Sequence, residues 1–262
     1  MTALHVHRFG AGRPVVAPPV VALHGINGHG ARWRRLAERH LPDREVLAPD
    51  LRGHGRSTHD APWDAGTHVA DLLATVEPDR FDLVAHSYGG LIAVRLARAA
   101  PHRVRRLVLL DPAIGLDPAR AREGARRMLG AVSFASPDEA RAVRAGGWPE
   151  ASAETLDDEI ADHLERAPDG RWRWRYEPAA VVTAYSEMAR PMAVPPPHVP
   201  TLLVVAARAG VVREGFADAC RRSLADFAVA EVDCGHMLYI DRPDETGALI
   251  RAHLSGTGPD AR

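Results

Sequence analysis

The stretch Leu83-Val84-Ala85-His86-Ser87-Tyr88-Gly89-Gly90 runs from a short apolar segment into a serine with a small residue two positions away on each side. A serine on a tight strand-to-helix turn points its hydroxyl into open space, and larger side chains at Ala85 or Gly89 would collide where the chain doubles back. The N–H groups that begin the next helix then face a developing oxyanion. The stretch therefore predicts a nucleophilic Ser87 between a buried strand and a helix.

Other short apolar runs, bounded by turn residues, alternate along the chain with segments of helical periodicity. Uninterrupted runs of this length are typical of strands buried on both faces of a parallel sheet. The predicted strands are Val20–Leu23, Val46–Ala48, Phe81–Ala85, Leu107–Leu110, Leu202–Ala206 and Val229–Val232. The predicted helices between them are Ala31–His40, Thr67–Glu77, Tyr88–Ala100, Gly215–Leu224 and Pro243–Leu254. This alternation predicts an α/β fold with a mostly parallel sheet flanked by helices.

The alternation breaks between residues 114 and 195, where the sequence predicts three helices, Pro118–Leu129, Pro137–Ala145 and Glu154–Arg166. The segment Trp172–Tyr176 alternates, with its aromatic residues on one face and arginines on the other. Because the sheet pattern resumes at Thr201, we expect a core of residues 1–113 and 196–262 with an inserted helical lid of residues 114–195, rather than an independent second domain. Trp148, Trp172, Trp174 and Tyr176 form either the core of the lid or a wall of the substrate pocket.

Composition excludes several classes of protein. The 262 residues carry a formal net charge of −1, with arginine as the basic residue throughout and no lysine. This balance indicates neither a nucleic-acid surface nor an anionic-membrane surface. Cys220 and Cys234 are too few for a disulfide framework. Residues 1–12 lack the apolar run of a signal peptide, and no run is long enough to span a membrane. We therefore expect a cytoplasmic protein.

No pattern indicates a cofactor or a metal. The spacing of Gly25, Gly28 and Gly30 does not match a dinucleotide-binding loop, and no acidic residue follows suitably. No group of histidines, cysteines and carboxylates has the spacing of metal ligands. We expect a small-molecule acyl substrate as the partner, without a cofactor, and the sequence leaves the oligomeric state open.

Three further motifs accompany the serine turn, in a fixed order along the chain. They are Leu23-His24-Gly25 after an early strand, the turn Pro49–Ser57, and Cys234-Gly235-His236 before the last helix. Together with Ser87 they resemble the α/β-hydrolase superfamily, of the serine esterase and lipase type. The resemblance covers the core and is specific for the fold, but much less so for the substrate. Ala85 departs from the family pattern, which usually has glycine there.

The resemblance implies roles for individual residues. Ser87 would be the nucleophile, and His236 the base that takes its proton and returns it to the leaving group. The oxyanion hole would be formed by the backbone N–H groups of Ile26 and Tyr88.

The acidic member of a triad departs from the family pattern. Most relatives carry an aspartate after the strand that corresponds to Leu202–Ala206, but here the loop contains no carboxylate before Glu214. Asp111, at the end of the preceding strand, is one candidate, and some family members place the acid there. Pro112 would hold Asp111 extended at the carboxyl edge of the sheet. The alternatives are a Ser–His dyad or a catalytically weakened relative.

These residues predict hydrolysis of carboxylic esters of small or apolar acids through an acyl-enzyme. The same machinery would serve thioesters, lactones or C–C bonds next to a carbonyl. A dehalogenase or epoxide hydrolase is disfavoured, because its nucleophile would be an aspartate in place of Ser87. A non-catalytic, ligand-binding relative is the alternative from another class of protein.

Overall fold

The computed structural model describes residues 3–10, 17–130 and 132–257. Within them, seven strands form one sheet: β1 (Val6–Phe9), β2 (Val20–Leu23), β3 (Val46–Pro49), β4 (Phe81–His86), β5 (Val104–Leu110), β8 (Thr201–Ala206) and β9 (Phe227–Val232). Their order in the sheet is β1-β3-β2-β4-β5-β8-β9. Neighbouring strands run parallel except β1, which pairs antiparallel with β3. The predicted α/β fold with a mostly parallel sheet is confirmed.

The sheet is covered on both faces, which explains why its strands are uninterrupted apolar runs. In β4, Leu83 and Ala85 pack into the core on one face, whereas Val84 packs into the core on the other. One face carries the helices α2 (Ala65–Thr75), α3 (Tyr88–Ala99) and α8 (Phe216–Ser223). The other face carries α1 (Arg34–His40), which follows a 3-10 turn at Gly30–Trp33, and α10 (Pro243–Ser255). A short helix, α9 (Leu238–Asp241), precedes α10.

The edge strand β1 was not predicted. Its two central residues, His7 and Arg8, are polar, and none of its four residues is fully buried, so it lacks the apolar run that marks the other strands. The N-terminal stretch that was considered for a signal peptide lies partly outside the described residues.

The connection between β5 and β8 forms a separate group of helices and two short strands. Its elements are α4 (Pro118–Met128), α5 (Pro137–Gly147), α6 (Ala153–His163), β6 (Leu164–Arg166), β7 (Trp172–Trp174) and α7 (Pro178–Met188), all within the stretch 114–195. We call residues 114–195 the insertion. The prediction of one helix over Glu154–Arg166 was wrong at its end, because Leu164–Arg166 pairs as a strand with Trp172–Trp174.

The insertion is packed within itself and hydrogen-bonded to the core. Its helices α4 and α7 pack so closely that a Cβ at Gly124 would lie 2.3 Å from the ring of Tyr185. Backbone hydrogen bonds also join the insertion to the turn after β3, from the N–H of Gly55 to the oxygen of Arg175 (2.7 Å) and from the N–H of Glu177 to the oxygen of Gly53 (2.8 Å). In the described part of the chain, no helix combines the length and the apolar character needed to cross a membrane.

Candidate active site

Ser87 lies on the turn between β4 and α3, at the carboxyl edge of the sheet. Its φ of 56° is in the left-handed region, and α3 begins at the next residue. Two residues on, a Cβ at Gly89 would lie 2.6 Å from the backbone oxygen of His24, so only glycine fits the turn. The strained serine and the small residue beside it direct the hydroxyl out of the turn.

Three side chains from different strand ends meet at this edge. The Nε2 atom of His236 lies 2.9 Å from Oγ of Ser87, and its Nδ1 atom lies 2.6 Å from Oδ2 of Asp111. Because the carboxylate accepts the Nδ1 hydrogen, Nε2 of the neutral ring faces the serine hydroxyl as an acceptor. Asp111 is fully buried and Ser87 nearly so, whereas a third of the His236 side chain is exposed. The arrangement suits removal of the serine proton.

Asp111 is held from both its backbone and its side chain. Its N–H donates to the oxygen of Val204 (2.8 Å), and Oδ1 accepts from the N–H of Ala206 (3.2 Å). The expectation that Pro112 keeps Asp111 extended was wrong, since the φ of Asp111 is 43° and therefore left-handed. The residue before a proline avoids the right-handed helical region, and here hydrogen bonds to β8 hold it in the left-handed one.

Asp233 and Glu214, the other carboxylates near the predicted site in sequence, lie away from His236. The carboxylate of Asp233 faces the guanidinium of Arg208 at 3.1 Å and is 85% exposed. Glu214 is exposed in the loop before α8. Among the described residues, Asp111 supplies the carboxylate that contacts His236.

Of the two residues predicted to supply an oxyanion hole, Tyr88 directly follows Ser87 and Ile26 lies on a different loop. Tyr88 is the first residue of α3, where a backbone N–H has no partner inside the helix. Ile26 lies on the loop after β2 and lines the same cavity as Ser87. His24 braces this loop, since Nδ1–H donates to the oxygen of Gly25 (2.7 Å) and Nε2 accepts from the N–H of Leu51 (2.9 Å). Burial and the nearby His54 hold the pKa of His24 well below its usual range, which keeps the ring neutral in this role.

His86 supports the loop that carries His236. Its Nε2–H donates to the backbone oxygen of His236 at 2.8 Å, and the two rings lie 4.5 Å apart. Burial, followed by the charge of His236, lowers the pKa of His86 well below its usual value. A neutral ring therefore stands beside the candidate base, without a competing positive charge.

A cavity of about 310 Å³ opens over Ser87 and His236. Most of its wall is apolar and comes from the core and the insertion together, as Ile26, Ala113, Leu116, Met188, Val211 and Met237. Its polar lining includes Tyr185 and the arginines Arg32, Arg120 and Arg127. A pocket of this size, closed by apolar residues around a nucleophile, suits a small acyl group.

Comparisons with known proteins show which family the chain belongs to. The model of the Alpha/beta hydrolase family matches residues 20–249. The chain belongs to this family. It is 42% identical over 258 residues to lipase LipV of Mycobacterium tuberculosis, covering 96% of this chain and 97% of that protein.

Solved structures share the fold of this alpha/beta hydrolase. E-2-(acetamidomethylene)succinate hydrolase superposes with a TM-score of 0.80 at 23% identity, over 96% of this chain and 99% of that one. An esterase of M. tuberculosis superposes with a TM-score of 0.73 at 24% identity, over 97% and 93% of the two chains.

Sequence reasoning missed a buried ion-pair cluster that joins the insertion of this hydrolase to the loop of Ile26. Glu159 on α6 accepts from Arg32 (2.6 and 2.8 Å) and lies 3.0 Å from Nε2 of His29 and 3.1 Å from a guanidinium nitrogen of Arg144. Burial would raise the pKa of Glu159, but Arg32 and Arg144 hold it well below its usual range. No local pattern signals this cluster, because its members are distant in sequence.

Trp148, Trp172, Trp174 and Tyr176 of the insertion do not line the cavity, and the last three pack in the core of the insertion. Trp174 packs edge-on against Phe134 (5.4 Å between ring centroids), and the guanidinium of Arg144 lies 4.1 Å from the Trp174 ring. Trp148 packs with residues of the main core. Of the two interpretations open from the sequence, the structure therefore supports lid core and contradicts a substrate wall.

One group of potential metal ligands in the structure was not apparent from the spacing of residues in the sequence. The side-chain ligand atoms of His5, His7 and Asp50 lie within 4.8 Å of one another. Asp50, however, already accepts from the N–H groups of Gly30 (2.6 Å) and Arg56 (2.8 Å) and contacts His7 (3.1 Å). These bonds hold the turn after β3, so we interpret the group as structural. Sequence spacing did not reveal it because β1 was not predicted.

Proposed function

We propose that this alpha/beta hydrolase cleaves carboxylic esters of small or apolar acids through an acyl-enzyme on Ser87. The observation that carries the proposal is the continuous hydrogen-bonded series from Asp111 through His236 to Ser87, with distances of 2.6 and 2.9 Å. A non-catalytic relative would have no need of this alignment or of the strained turn at Ser87.

The reaction follows from the positions of these groups. Nε2 of His236 accepts the proton of Ser87 as Oγ attacks the ester carbonyl, and Asp111 stabilises the imidazolium that forms. The N–H groups of Ile26 and Tyr88 bind the oxyanion. His236 then protonates the departing alcohol, and a water activated by the same ring hydrolyses the acyl-enzyme and restores Ser87.

Two further observations support this function. The relative that matches over nearly its whole length is named a lipase. In addition, the cavity beside Ser87 is mainly apolar. Thioesters and lactones present the same carbonyl to the same groups and remain alternatives.

The proposal also assigns the insertion, residues 114–195, the role of a lid. Leu116, Tyr185 and Met188 come from it and line the cavity over Ser87. Acyl selectivity would thus be set largely by the insertion, and the chemistry by the core. A cytoplasmic location belongs to the same proposal and is supported by the free, buried thiols of Cys220 and Cys234.

The direct test combines labelling and turnover. A fluorophosphonate probe should label the wild-type chain once, at Ser87, and not the Ser87→Ala variant. That variant should keep its melting temperature and lose on the order of 10³-fold or more in ester turnover. Near-wild-type turnover of a folded Ser87→Ala variant would remove Ser87 from the mechanism.

A further inference from the structure

The charged side chains of arginine, aspartate and glutamate type that line the active-site cavity are all positive. Arg32, Arg120 and Arg127 contribute to the lining, and no aspartate or glutamate does so among the described residues. Arg32 is neutralised by its buried bond with Glu159 at 2.6 Å. The remaining positive charge over the cavity therefore comes from Arg120 and Arg127, both on α4 of the insertion.

Arg120 has no carboxylate partner within the described part of the chain. Its guanidinium donates instead to backbone oxygens in the loop after β8, those of Ala209 (3.5 Å) and Gly210. These contacts fix the side chain between the insertion and the core. Since a guanidinium has five N–H donors, several remain for a ligand.

Arg127 is a second cation at the cavity, and its ion pair is weak. It pairs with Glu123 one helical turn earlier at 2.6 Å, but both side chains are more than half exposed, and such pairs are weak in water. Tyr185 lines the cavity close to both arginines: burial raises the pKa of its hydroxyl, and the charges of Arg127 and Arg120 oppose that rise.

The neighbouring acidic groups lie outside the cavity. Asp117 and Glu214 line an adjoining groove on the other side of Arg120. The carboxylate of Asp117 is occupied as the cap of α4, where it accepts from the N–H groups of Ala119 (2.9 Å) and Arg120 (3.2 Å). The cavity itself therefore joins a nucleophile, apolar walls, the guanidinium of Arg120 and the exposed, weakly paired guanidinium of Arg127.

We propose that Arg120, assisted by Arg127, binds a carboxylate at the far end of the acyl chain, so that the preferred substrates are half-esters of dicarboxylic acids. This inference rests on the proposed ester hydrolysis and names its substrate class. The methylene chain would pack on Leu116, Met188 and Val211. A guanidinium is suited to the free carboxylate because its planar donors match the two oxygens.

Matched esters test the inference. The wild-type chain should hydrolyse monomethyl adipate with a higher kcat/KM than methyl hexanoate, which has the same acyl length without the carboxylate. Added salt should reduce the advantage, because screening weakens a pairing at the mouth of the cavity. Arg120→Gln should lower kcat/KM for monomethyl adipate about 10- to 100-fold, mainly through KM, as expected for a charge-assisted hydrogen bond.

Two controls separate this role from others. Arg122→Gln removes the same charge from the same helix at an exposed position that does not line the cavity, and it should leave both esters unchanged. Carboxymethyl hexanoate carries its charge on the alcohol side. A loss confined to that ester in Arg120→Gln would place the anion on the leaving group and overturn the proposal.

The remaining outcomes are also distinct. If the wild type hydrolyses methyl hexanoate but Arg120→Gln changes both acyl esters equally, or neither, the carboxylate site is wrong and ester hydrolysis stands. If the wild type hydrolyses no ester at all, the proposed function fails, and the substrate class fails with it.

Discussion

The carboxylate of Glu159, on α6 of the insertion, accepts two hydrogen bonds from the guanidinium of Arg32, at 2.6 and 2.8 Å, and both side chains are buried. The same guanidinium donates to the backbone oxygen of Asn27 at 2.7 Å. Asn27 follows Ile26, and its φ of 56° is left-handed. The insertion is thus linked, through one arginine, to the loop of Ile26, the residue proposed to supply one oxyanion-hole N–H.

We expect Glu159→Gln to lower kcat for small esters about tenfold with little change in KM, since a misplaced oxyanion donor weakens transition-state binding more than substrate binding. The variant should also lose about 3–5 kcal/mol of unfolding free energy, because it leaves Arg32 and Arg144 buried without their counter-charge. Steady-state kinetics and urea unfolding measure the two effects.

Glu154→Gln is the matched control for that variant. Glu154 lies on the same helix, but its pair with Arg35 is on the surface, so both kcat and stability should change little. Loss of stability in Glu159→Gln with an unchanged kcat would show that the cluster only holds the insertion in place.

The parts of the fold that the sequence predicted are those with a local physical signature. Val20–Leu23 is an uninterrupted apolar run because both faces of the sheet are covered, and Ser87 is marked by the small residues that its turn requires. Edge strand β1 lacks such a run. Glu159 and Arg120 contact partners far away in the chain, and their sequence neighbourhoods are those of ordinary charged helices, so no local pattern could reveal these contacts.

Trp174→Ala should destabilise the hydrolase by about 3–5 kcal/mol, because it empties a buried aromatic site. The ring packs on Phe134 and Arg144 and does not line the cavity. Relative rates on short and long esters should therefore stay the same, as measured on folded protein below its melting temperature. A changed preference among ester chain lengths would show that Trp174 contributes to the wall of the substrate pocket.

Acid should destabilise the fold through buried neutral histidines. Burial lowers the pKa of His54 to about 3 and of His68 to about 4. Because these values lie below the unfolded value of 6.5, the unfolded chain binds the proton first as the pH falls. The free energy of unfolding that these two histidines contribute is fully present above about pH 6.5. As the pH falls toward 4, the free energy of unfolding decreases by up to about 1.4 kcal/mol per pH unit for each histidine.

Urea unfolding between pH 7.5 and 4.5 measures this slope. His68→Gln should make the slope shallower by about one histidine's share, whereas His198→Gln, at an exposed position, should leave it unchanged. An equally steep slope in His68→Gln would mean that His68 is not among the groups responsible.

Replacing Asp111 with asparagine tests the acid of the proposed triad. Oδ2 of Asp111 lies 2.6 Å from Nδ1 of His236, and Oδ1 accepts from the N–H of Ala206. Asparagine keeps the shape but supplies no charge to stabilise the imidazolium, and its amide group can favour the wrong tautomer of His236. Turnover of small esters should fall about 10²- to 10⁴-fold, equivalent to about 3–5 kcal/mol of transition-state stabilisation, with KM little changed.

The rival carboxylates provide the controls for Asp111→Asn. Asp233→Asn and Glu214→Gln should each cost less than about tenfold in kcat, because neither side chain contacts His236 and a tenfold change corresponds to only about 1.4 kcal/mol. A fluorophosphonate labelling rate that falls in Asp111→Asn but not in the other two would locate the defect in activation of Ser87. If instead Asp111→Asn keeps near-wild-type kcat, His236 works without a carboxylate partner, and the enzyme is a Ser–His dyad.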